Sequence, residues 1–157
     1  MSRLLLLSLL AALMGCNQHK QTVEQFNEQH MHGHGSTARN NLRALGIAQI
    51  QYQINYPEIG YACSLANLGG LGIKNEKQAN YMHAMLINDA LASGHQSGYI
   101  FSISNCQGRP ASRYAITAIP DSAPSGKFAY CTDQSAVIRY STDGSAETCL
   151  TSGKPLQ

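Results

Sequence analysis

Apolar residues change their spacing along this chain, and each change marks a different kind of segment. Leu4 to Leu13 is an almost unbroken apolar run behind one cation, Arg3. Its charge and length are those of a secretory h-region, too short to span a bilayer. Residues 17 to 36 have only Val23, Phe26 and Met31 as sizeable apolar groups among Gln, Asn, His and Gly. That composition predicts a flexible tether with a reach on the order of 25 Å. Ser36 or Thr37 then suits an N-cap, and a helical period runs to about Asn55, where Pro57 ends it. The apolar positions of this helix form two stripes. Leu42, Leu45, Ala48, Tyr52 and Tyr56 lie along one side, while Ile47, Ile50 and Ile54 lie nearly opposite. A surface helix needs one stripe. Either its own domain covers both sides, or the isoleucines meet a partner.

A loop with Gly60, Gly69, Gly70 and Gly72 follows. Glu76 to Ser93 then predicts a second helix with Gly94 just past its end, its apolar surface supplied by Tyr81, Met82, Met85, Leu86 and Ala90. From residue 97 the period becomes two. Tyr99, Phe101 and Ile103 alternate in one strand; Tyr114, Ile116 and Ala118 alternate in the next. Lys127 to Thr132 and Val137 to Ser141 predict a hairpin, and the tail beyond Cys149 reads as loose. The expected fold class is α+β, with an N-terminal helix and a short second helix packed on a small antiparallel sheet of three to four strands. Residues 1–15 read as a signal peptide, 16–36 as the tether and 37–157 as one globular domain.

Cysteine usage agrees with export. Setting Cys16 aside leaves Cys63, Cys106, Cys131 and Cys149, an even number that allows three pairings. Cys131 with Cys149, in one hairpin region, and Cys63 with Cys106, tying the loop after the first helix to the first strand, is the favoured set. No C-x-x-C or C-x-x-x-x-C spacing points instead to a metal site built from cysteine. Eleven basic residues stand against nine acidic ones. So even a balance argues against a nucleic-acid partner and against electrostatic attachment to a membrane surface.

Leu13-Met14-Gly15-Cys16 resembles the lipobox of bacterial lipoproteins. The resemblance implies cleavage before Cys16, a diacylglycerol on its sulfur and a fatty acyl chain such as palmitate on its new amino group. The lipid anchor would then hold the chain at the cell envelope. Asn17, where Asp would mark retention, resembles lipoproteins sent to the outer membrane of Gram-negative cells.

Further along, Ala38-Arg39-Asn40-Asn41-Leu42-Arg43-Ala44-Leu45 with Gln49-Ile50-Gln51-Tyr52 resembles the exposed half of the spine helix of type IV pilins and type II secretion pseudopilins. Tyr61-Ala62-Cys63-Ser64-Leu65-Ala66-Asn67-Leu68-Gly69 is similar to the segment after that helix, Leu91-Ala92-Ser93-Gly94 with Ser97-Gly98-Tyr99 to the entry into the sheet, and Tyr130 to Tyr140 to its closing hairpin. Together these cover residues 37 to about 145. The resemblance implies that the α+β domain over 37–157 is pilin-like in fold, and that the chain is an envelope protein that acts by protein contact, as an accessory to a type IV pilus or type II secretion system, with Ile47, Ile50 and Ile54 as candidate partner-binding residues. Pilins begin with a prepilin cleavage site and a long apolar half-helix carrying an early glutamate. This chain has the polar stretch 17–36 there, which closes the ordinary route into a fibre.

Enzyme signatures do not emerge. The chain has no P-loop, no G-x-G-x-x-G at a strand–helix junction, no H-E-x-x-H and no S-x-x-K. Gly94-His95-Gln96-Ser97-Gly98 places its serine one position too late for a nucleophile elbow. The expectation is therefore a non-enzymatic protein with no resident cofactor. One cluster offers a different chemistry: His30, His32 and His34, flanking Met31, present imidazole and thioether donors suited to Cu, Ni or Zn. The alternative function is thus an envelope metal-binding lipoprotein that uses this histidine segment, while His83 and His95 read as structural or solvated.

Overall fold

The computed structural model of the chain describes residues 33–73 and 75–156. Its first element, α1, is helical over residues 33–55 and begins ahead of the expected N-cap. The hydroxyls of Ser36 and Thr37 donate to the Gly33 carbonyl at 2.8 and 3.1 Å, the back-bonding these residues make inside helices. Gly35 is buried and so close to Tyr130 that an added Cβ would meet the tyrosine hydroxyl at 2.8 Å. Residues 33–36, expected as the end of the tether, are therefore packed helix. The remainder of that tether and the expected signal segment lie outside the described residues.

After α1 a hydrogen-bonded turn brings the chain to Gly60, which adopts φ +83° and pairs with Ala111. Tyr61 N–H donates to the Ala111 carbonyl, and Ala111 N–H donates to that of Ile59, at 2.9 and 2.8 Å. A side chain at Gly60 would collide with the Ala111 backbone, so this contact requires glycine. Helix α2, Leu65–Leu68, follows with Ser64 as its N-cap.

The second helix expected over Glu76 to Ser93 does not form as one element. Only a 3-10 turn, Glu76–Gln78, and a four-residue helix α3, Asp89–Ala92, are helical there. Two competing sets of hydrogen bonds explain the difference. Asn75, Asn80 and Asn88 each accept a backbone N–H through the side chain, which breaks the segment into turns. Between them, the N–H groups of Ala84, Met85 and Leu86 donate to the carbonyls of Asn67, Gly69 and Leu68, the unpaired C-terminal end of α2.

The expected pilin-like fold, with its sheet of three to four strands, is also corrected. The structure has one six-stranded antiparallel sheet with strands in sequential order. They are β1 His95–Gln96, β2 Tyr99–Gly108, β3 Ala111–Pro120, β4 Ala129–Asp133, β5 Arg139–Ser141 and β6 Lys154–Pro155. The two edge strands have two residues each, too short to show an alternating pattern. Ser97 and Gly98, both with positive φ, form the two-residue hairpin between β1 and β2. The tail read as loose folds into helix α4, Ala146–Ser152, and then pairs as β6 with β5.

The core lies between α1 and one face of the sheet. Ala38, Leu42, Leu45, Ala48 and Tyr52 of α1 join Tyr99, Phe101, Tyr114, Ile116, Ala118 and Tyr130 in one buried cluster. The middle of β3 is buried on both faces, with Ala115 and Thr117 pointing away from the α1 side. Helix α4 packs against β4 and β5 and also touches β3. The two disulfides are Cys63–Cys106 and Cys131–Cys149, the set favoured from the sequence. The second fastens α4 to β4, and the first fastens the loop after α1 to β2.

Candidate functional site

Among the described residues, helix α1 carries three large exposed aliphatic side chains on one side. Ile47, Ile50 and Ile54 are 68%, 51% and 66% exposed, so the described residues do not cover the second stripe. The possibility that the domain buries both sides of the helix is thereby excluded for the described residues. Three anchors set the rotation of α1 that produces this. Gln49, fully buried, donates through Nε2 to the Ala62 carbonyl and accepts the Ala62 N–H through Oε1, both at 2.8 Å. The Tyr52 hydroxyl donates to the Tyr81 carbonyl at 2.5 Å. Burial, with Tyr56 and Tyr81 nearby, raises the Tyr52 hydroxyl above the ordinary tyrosine range and keeps it a donor. Nearer the start of the helix, the Arg39 guanidinium lies 5.9 Å from the centroid of the Tyr130 ring.

With that side of the helix fixed, positions three and four apart on the other side must face outward. The exposed neighbours are Ala44, Gln51, Gln53 and Asn55, and Gln51 Nε2 donates to Asn55 Oδ1 at 2.9 Å. No residue from Ala44 to Pro57 is charged. An uncharged ridge of isoleucine bordered by amides can bury apolar area without stranding an ion, which is the chemistry of a protein contact.

The histidine segment is only partly within the described residues. His30 and His32 lie outside them, as does Cys16. His34 lies on α1, where its Nδ1 donates to the Ser97 carbonyl at 2.9 Å. A metal would therefore have to use its Nε2. Asp121 sits beside the same turn, its N–H donating to the Gly98 carbonyl. Ser125 and Ser122 hydroxyls donate to its Oδ1 at 2.6 and 2.9 Å and hold its carboxyl below the usual range. Among the described residues, no group of three or more His, Cys, Asp or Glu is placed to hold a metal ion.

An open cleft of about 490 Å³ lies between the Pro120–Lys127 segment and the Thr142–Gly144 turn. Its carboxylate, Asp143, is committed to capping α4: it accepts the Ser145 N–H at 3.0 Å and the Thr148 hydroxyl at 2.8 Å. These bonds hold it below the usual carboxylate range. Ser97 lies in the β1–β2 hairpin, and its positive φ serves the turn. Gln49 is the site residue that sequence reasoning missed. A glutamine between apolar helix positions gives no signal of what its amide will meet.

No protein-family model, curated protein or solved structure matches the chain. The pilin and pseudopilin resemblance therefore rests on the sequence phrases themselves. Among the described residues, no helix is long and apolar enough to cross a membrane.

Proposed function

We propose that this chain is a lipid-anchored envelope protein, pilin-like in sequence, that works by protein contact through the isoleucine face of α1. Its setting is a type IV pilus or type II secretion system, to which it is accessory. The observation that carries this reading is the exposure of Ile47, Ile50 and Ile54 together on a helix whose other side is fixed by Gln49 and Tyr52. Three large aliphatic side chains left in water forgo on the order of 1.5 kcal/mol or more each, an amount that binding to a partner recovers. The lipobox at Cys16 supplies the membrane attachment, and the phrases shared with pilins supply the setting.

The test is a variant with Ile50→Asp and Ile54→Asp. Both residues are exposed, so the domain is expected to melt within a few degrees of the parent. Its co-purified envelope partners, identified by mass spectrometry as pilus or secretion components, are expected to be lost. Retention of every partner by the folded variant would remove the α1 face from the function.

A further inference from the structure

The uncharged stretch of α1 is bounded by charges of opposite sign. Arg43 precedes it and Glu58 follows it, and both side chains are exposed. Their positions are symmetric about a point between Ile50 and Gln51, and so are Ile47 and Ile54. Glu58 lies just past the helix, in a turn closed by the Ile59 and Gly60 N–H groups donating to the Tyr56 carbonyl at 3.0 Å. It follows the last helical residue of α1 by three positions.

This arrangement has a matching partner in itself. In an antiparallel pair of helices, residues equally far on either side of the midpoint come level with each other, since every residue rises by the same amount. We propose that the occupant of the isoleucine face is a second copy of this chain, packed antiparallel about a two-fold axis that passes between Ile50 and Gln51. Ile47 then meets Ile54 of the second copy at both ends of the contact, and Ile50 lies beside the axis, level with Gln51 of the second copy and next to the second copy's Ile50. Arg43 comes opposite Glu58 of the second copy, twice. A parallel pairing would set Arg43 on Arg43 and Glu58 on Glu58, a like-charge arrangement that disfavours association. Two-fold contacts are self-complementary by construction, and this sequence pattern is self-complementary only in the antiparallel sense. Gly46 beside the ridge has open space where a Cβ would lie, which leaves room for a second backbone to approach. The proposal rests on the reading of α1 as an interaction face and names what occupies it; the dimer is then the unit that meets pilus or secretion components.

The test uses the full lipid-anchored chain in cells, with the photo-crosslinker p-benzoylphenylalanine in place of Ile47. Illumination is expected to give a covalent species of twice the chain mass, with residue 47 joined to the peptide around Ile54. Arg43→Glu alone and Glu58→Arg alone are each expected to lower its yield by about fivefold, and the two together to restore it. Adducts joining 47 to 47, or failure of the double reversal to restore yield, overturn the antiparallel dimer. Capture of a different protein in place of the second copy also overturns it, while leaving α1 an interaction face. No protein adduct at all overturns both. If a reversal variant fails to fold, as shown by its disulfides and melting curve, the 47-to-54 adduct in the parent decides the question.

Discussion

Gln49 and Ala62 are joined by two hydrogen bonds of 2.8 Å, so that a side-chain amide completes both backbone groups of a buried residue. Ala62 precedes Cys63, whose disulfide continues the connection into β2. The pair thus transmits the position of the sheet to α1 and decides which helix face is left open. Replacing Gln49 by Leu leaves an N–H and a carbonyl unpaired in the core, at a cost of about 2 to 4 kcal/mol. Urea denaturation of the oxidised protein, with the slope unchanged and the midpoint lowered, is the measurement that shows it.

The two disulfides differ in how much chain they close. Cys63–Cys106 spans 43 positions and Cys131–Cys149 spans 18. In the loop-entropy account they stabilise the fold by about 4 and about 3 kcal/mol respectively. Ser replacements made in pairs are expected to lower the unfolding free energy in that order. Loss of Cys131–Cys149 is also expected to release α4 from β4, read as faster amide exchange in Ala146–Ser152 than in β2.

The four inner strands were legible in the sequence, β2 and β3 because a period-two set of apolar residues in each joins the core with α1. Tyr99, Phe101 and Ile103, like Tyr114, Ile116 and Ala118, fall on alternate positions that join the core with α1, although Ile100 and Ile119 break a strict apolar–polar alternation. The edge strands were hidden for a physical reason. His95–Gln96 and Lys154–Pro155 have no buried face to write a pattern, and they pair because a Ser-Gly turn and α4 deliver them to the sheet edges. The second helix was misread because Tyr81, Met82, Met85 and Leu86 have helical spacing. The asparagines around them and the open carbonyls of α2 offered stronger local bonds. The isoleucine stripe was visible as a pattern, but its exposure was not, since spacing defines a face without saying what covers it.

Acid should weaken the domain through three carboxylates. Serine hydroxyls hold Asp121 down, and the Ser145 N–H and Thr148 hydroxyl hold Asp143 down. For Asp133 burial works to raise the carboxyl, but bonds from Ser135 and the Arg139 guanidinium at 2.6 Å outweigh it and hold it below the usual range. A group depressed in the folded state stabilises fully above its unfolded value, about 3.9, and loses that contribution as pH falls through its folded value. Stability is therefore expected to be level from neutral pH to about pH 5 and to fall below about pH 4. Asp133→Asn is expected to make that fall shallower while costing no more than about 1 kcal/mol at pH 7. Thermal melts of both proteins across this range provide the check.

Membrane attachment is expected to depend on one atom. With Cys16→Ser the chain has no sulfur for a diacylglycerol, so labelled palmitate should not be incorporated and the protein should leave the membrane fraction.

The proposed function depends on α1 being a contact surface. In-cell photo-crosslinking from positions 47, 50 and 54, with the captured proteins identified by mass spectrometry, tests that most directly. Protein adducts from all three positions, absent when the crosslinker is placed at exposed Arg113 on the sheet, are the predicted result. Crosslinks confined to the chain's own domain would contradict the account and make the isoleucine stripe an internal surface.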